Sequence, residues 1–166
     1  MLFIKRATVA AIVQLLIAFF SIASAETRSI QAGLIDELHH WIDTTTALPT
    51  AGTPATIVFV DAQERAEPSE MASMIGSVPR GLYDPDTGTI TLVRPWSEEN
   101  PQDVAVFLHE LVHHRQGGKH YYCEAAKERA AYHAQKDWLA ERELTLDVNW
   151  IAIILASSCA ARDHHP

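Results

Sequence analysis

Apolar residues recur along this chain at two spacings, and the spacing sorts the segments. From Ser29 to Thr44, residues Ile30, Leu34, Ile35, Leu38, Trp41 and Ile42 fall three or four positions apart, so they share one face of an amphipathic helix. Val104, Phe107, Leu108, Leu111 and Val112 repeat the pattern in a segment punctuated at both ends. Asn100 is a capping residue, Pro101 suits the first turn, and Asp103 complements the positive helix end. Gly117 and Gly118 offer a left-handed stop. Tyr121 to about Leu144 is rich in Ala, Glu, Lys and Leu and lacks Gly and Pro, which predicts another helix. Its expected inner face carries Tyr121, Ala125, Tyr132, Trp138 and Leu139, with Lys127, Ala130, Ala134, Asp137 and Glu141 pointing away. The run Trp150 to Ala156, which Asp147 or Asn149 can cap, is too short to span a bilayer and is expected to be a core helix.

Strands are predicted where the alternation tightens. Thr56 to Val60 is a short buried strand ended by Asp61. Gly81 to Tyr83 and Thr89 to Val93 flank Asp84-Pro85-Asp86-Thr87-Gly88, strong turn chemistry that predicts a hairpin. Glu64 to Ile75 reads as a further short helix. No internal repeat, low-complexity tract or linker divides the chain.

The chemistry concentrates in His109-Glu110-Leu111-Val112-His113. Histidines four residues apart on a helix share a face, so two imidazoles can grip one cation, and the intervening glutamate can work on a water beside it. In a chain of this composition the pattern arises by chance about 0.03 times. The wheel strengthens it, because both histidines lie beside the apolar arc rather than opposite it. His39 and His40, with no ligand-type neighbours, are expected at the surface.

A catalytic zinc takes three protein ligands and leaves one position open. Glu128 is the favoured third ligand, because it sits in the inner arc of the next helix, where a carboxylate needs a positive partner. Glu124 is the alternative on that helix, as ligand or as a group orienting a histidine. His120 is the other alternative, displaced by one residue from the spacing of an extended histidine motif.

HELVHH, followed at this distance by CEAAKERAAYHAQKDWL, resembles the small gluzincin-type zinc metallopeptidases. More narrowly, it is similar to exported bacterial proteins with a HELVHH-Q helix and then an E-x-x-A-Y-x-x-Q helix, a match spanning roughly Leu82 to Cys159. The resemblance implies zinc ligands at His109, His113 and Glu128, with Glu110 as general base. It implies an α+β, zincin-like domain: a small antiparallel sheet or hairpin packed on the His-Glu-x-x-His helix, a following ligand helix and a C-terminal core helix. By the same resemblance, Thr89 to Val93 is the candidate edge strand on which an extended peptide would lie.

The remaining features set the context. Lys5 and Arg6, an apolar stretch from Ala7 to Phe20 and Ala23-Ser24-Ala25 form a secretory signal over residues 1–25, leaving 26–166 as one domain, periplasmic or extracellular. Loss of Lys5 and Arg6 takes the formal net charge from -8 to about -10. That acidity excludes nucleic acid, and anionic membranes after signal cleavage, as expected partners, and leaves a peptide or protein substrate. Cys123 and Cys159 are expected to pair in an oxidising compartment, the rival being Cys123 as a metal ligand. The function expected is therefore hydrolysis of peptide bonds by a metal-activated water. The alternative is a non-catalytic exported metal-binding or structural protein, whose closed site would recruit His120 or Cys123 as a fourth ligand.

Overall fold

The computed structural model describes residues 30–64, 78–123 and 125–159. Among them it has four helices and three strands, a small α+β domain: α1 (Ala32–Thr45), β1 (Thr56–Val60), β2 (Gly81–Asp84), β3 (Thr89–Val93), α2 (Pro101–Gln116), α3 (Ala126–Ala140) and α4 (Trp150–Ala156). The segment predicted as a short helix from Glu64 lies, beyond that residue, outside the described residues, as does the whole of residues 1–25. No helix among the described residues is long and apolar enough to cross a membrane.

The hairpin forms where its turn chemistry places it. The Asp84 carboxylate accepts the Asp86 N–H at 2.9 Å and the Thr87 hydroxyl at 2.7 Å, and Gly88 closes the turn at φ 66°. The sheet is mixed rather than antiparallel, because β1 pairs with β3 in parallel, Thr56 opposite Thr89 through Val60 opposite Val93. β3 is therefore the central strand, flanked by β1 and β2. This overturns the expectation that Thr89 to Val93 is a substrate-facing edge. Its alternation reflects burial, with Ile90 and Leu92 fully inside. The edge strand beside α2 is β2.

Helix α2 lies between the sheet and α3, with α1 also against it. Asn100 caps it by accepting the Gln102 N–H at 3.1 Å, and Pro101 occupies the first turn. Asp103 does more than complement the helix end: it is buried, pairs with Arg80 at 2.5 Å and accepts the Ser97 N–H at 3.0 Å. Val104, Phe107, Leu108, Leu111 and Val112 are all buried, as their spacing predicts, in one core with Leu38 and Ile42 of α1 and with Trp138 and Leu139 of α3. Each such side chain contributes about 1.5–3 kcal/mol. Gly117 ends the helix in right-handed conformation at φ -56°, so the left-handed stop expected there does not form.

Helix α3 starts later than predicted, at Ala126. Ala134, expected to face away, is buried because α3 is covered by α4 as well as α2. Asn149 supplies the α4 cap, accepting the Ala152 N–H at 3.1 Å. That helix is only partly core, since Ile153 is buried while Ile151, Ile154 and Leu155 are exposed. Cys123 and Cys159 are joined, linking the approach to α3 with the residues that follow α4.

Candidate metal centre

Rigid elements position every group of the site. His109 and His113 project from consecutive turns of α2, and Glu128 projects from the first turn of α3. The two Nε2 atoms lie 3.0 Å apart. Glu128 Oε2 is 3.3 Å from His109 Nε2, and its Oε1 is 3.5 Å from His113 Nε2. One donor atom from each residue thus falls within 4.8 Å of the others, a set that could hold a metal ion. His120 does not join it. That residue is exposed beyond the end of α2, its ring 6.3 Å from that of Tyr122. Glu124 lies outside the described residues. Cys123 is committed to its bond with Cys159.

Glu110 sits beside the group and is 6% exposed. Burial pushes its carboxyl pKa up, as does the Glu128 charge, against the opposing pull of His109, His113 and the backbone N–H of Tyr83. Burial acts on Glu128 in the same direction, but the hydrogen bonds and charges of both histidines outweigh it and hold that carboxylate well below its ordinary range. Burial alone would lower His113, yet its bond to Glu128 and the carboxylate charges raise it. Burial thus raises one of two neighbouring carboxyls while the histidines lower the other.

Strand β2 approaches this group closely. The Arg80 carbonyl accepts the Val93 N–H at 2.9 Å, so by antiparallel alternation the backbone groups of Gly81 and Tyr83 point away from β3. The N–H of Tyr83 lies on the side of the Glu110 carboxylate and lowers its pKa. Gly81 permits the approach, since a Cβ there would stand 2.7 Å from Glu110 Oε1 and 2.9 Å from Val106 Cγ1.

Gln116, Tyr132 and Gln135, which the sequence motif contains without a role assigned to them, surround the group. The Nδ1 of His109 lies 3.2 Å from Gln135 Oε1, and that of His113 lies 2.9 Å from Gln116 Oε1. The Gln116 amide N–H donates to the Lys127 carbonyl at 3.0 Å. Tyr132, one turn after Glu128, packs edge-on against His109 at 4.6 Å. A signal existed for these, because Gln116 is one helical turn from His113, and Tyr132 and Gln135 are one and two turns from Glu128. His39, expected at the surface, instead contacts the buried Arg115.

No curated protein and no solved structure matches the chain. Residues 27–166 match the family described as Domain of unknown function (DUF6647), and the chain belongs to that family.

Proposed function

We propose that this chain is an exported zinc-dependent peptidase of zincin-like fold, with His109, His113 and Glu128 as metal ligands and Glu110 as general base. The observation that carries this reading is the convergence of two imidazole nitrogens and one carboxylate on a single point, next to a second, buried carboxylate. The donor set is the two-histidine, one-glutamate combination of catalytic zinc. Zinc bonds of about 2.0–2.1 Å in a tetrahedron put neighbouring donors about 3.3 Å apart. The imidazole nitrogens stand 3.0 Å apart, close to that value, and a different carboxylate oxygen faces each of them, at 3.3 and 3.5 Å.

Zinc bound there supplies a Lewis acid that polarises a carbonyl and lowers the pKa of bound water. The chain's own residues do the rest. Glu110 takes a proton on its carboxylate and passes it to the leaving amine, and its raised pKa brings it nearer the range in which it can do both. The Tyr83 N–H favours the charged form of that carboxylate. Among the described residues β2 has an unpaired edge, and the outward backbone groups of Gly81 can pair with an extended peptide. The acidic net charge of -8 favours such a partner over nucleic acid.

A closed, structural zinc site would need a fourth protein ligand. Cys123 is spent on its disulfide and His120 is outside the group, which favours an open position. The test is elemental analysis of the purified protein, followed by digestion of a peptide library with and without chelator. About one zinc per chain and chelator-sensitive cleavage are expected. Absence of zinc removes the reading, and zinc without cleavage leaves the non-catalytic alternative.

A further inference from the structure

We infer that Gln116 and Gln135 are positioning residues that fix the ring orientation and hydrogen placement of the two histidines, and that Gln116 also locks the separation between His113 and Glu128. This rests on the metal-site reading above and deepens it.

Gln116 is fully buried, so its amide oxygen and nitrogen both need partners. The Lys127 carbonyl only accepts, so it fixes the amide nitrogen on that side, at 3.0 Å. Gln116 Oε1 must then face His113 Nδ1, at 2.9 Å. An amide oxygen also only accepts, so the hydrogen sits on Nδ1 of His113, and in the neutral ring Nε2 keeps its lone pair. Gln135 Oε1 does the same for His109 at 3.2 Å. Both lone pairs consequently aim at the point that Glu128 faces.

The two amides cross the α2–α3 interface in opposite directions. Gln116 reaches from α2 to the backbone of Lys127, next to Glu128, while Gln135 reaches from α3 back to His109. Each ring is therefore held by a neutral oxygen, where a carboxylate would make the imidazole a stronger base. Gln116 has the additional task, since its donor ties the residue beside Glu128 to the helix that carries His113.

The test measures zinc affinity of the full chain by competition with a chromophoric chelator, for wild type, Gln116→Met, Gln135→Met, Gln116→Glu and Gln135→Glu. The Met variants keep shape but lose the acceptor, and about 10–100-fold weaker zinc binding is expected from each. Gln135→Glu keeps the acceptor and should bind at least as tightly as wild type. Gln116→Glu keeps the acceptor but loses the donor to Lys127, so it should recover only in part. Met variants within twofold of wild type, or Glu variants as weak as their Met counterparts at both positions, overturn the inference. Wild type that binds no zinc fails the metal reading itself, which separates the two failures. Should a Met variant not fold, ring ¹⁵N shifts of zinc-loaded wild type decide. Hydrogen on Nδ1 and metal on Nε2 are expected in both histidines, and the reverse in either one overturns the assignment.

Discussion

Helix α2 buries polar side chains on two sides, and the sides are satisfied by different means. Toward α1 and the loop that follows it, Arg115 donates to the Pro49 carbonyl, to Asp43 and to His39. His114 stands between the Thr53 carbonyl at 2.8 Å and the Tyr83 hydroxyl at 3.2 Å. The Thr53 oxygen only accepts, so His114 carries its hydrogen on Nε2, opposite to the placement inferred for His109 and His113. Toward α3, the two histidines turn their Nε2 atoms to each other and to a carboxylate, with the outer nitrogens already engaged. Burial with protein partners in place describes scaffold. Burial with several donors aimed at one spot describes a ligand site. The same helix does both.

The sharpest way to break the comparison is Glu110→Gln. Turnover should fall by about 10²–10⁴-fold, with zinc content and melting temperature kept. Equal activity in the variant would remove Glu110 from the chemistry. Next comes His113→Ala, which should reduce zinc from about one equivalent to a trace by elemental analysis of the folded protein. On the scaffold side the pattern inverts. Arg115→Met should lower stability by about 2–3 kcal/mol in urea titrations, with zinc stoichiometry unchanged in the folded protein. An unmoved midpoint would erase the scaffold half of the contrast.

The smallest effect concerns pH. Burial, then the charges of Arg115 and His114, lower the pKa of His39 below its ordinary 6.5, against Asp43 and Asp36. The unfolded chain therefore takes up the proton first, so stability is full above pH 6.5 and falls as pH drops through 6.5 toward the folded value. In metal-free protein, His39→Gln should flatten this loss by a few tenths of a kcal/mol, because His39 is partly solvated. Urea midpoints compared at about pH 7.5 and about pH 5.5 measure it. A slope identical to wild type would mean that His39 keeps its charge inside the fold.

Local rules reached as far as groups along one element could say. The His109–His113 pair, the Asn100 cap and the Asp84 turn are set by short-range geometry, and the sequence contained all of it. Glu128 was legible because a carboxylate in an apolar arc needs a reason. The strand order was not legible, since the parallel pairing of β1 with β3 depends on a crossover that no local pattern encodes. The contact made by half-buried His39 was not legible for the same cause. Its partner, Arg115, is 76 residues away, and no signal in α1 announces it. The glutamines stood within reach, yet a neutral amide on a helix draws no attention until the ring it holds is in view.

Gly81 carries its weight through an absence. The atom it lacks would press on side-chain atoms of both Glu110 and Val106, so a saturation library at that position should return few letters. At Leu82, whose side chain is exposed, the same library should return many. The gap separating the outer rail of the sheet from the buried acid is thus gauged by an omitted methyl.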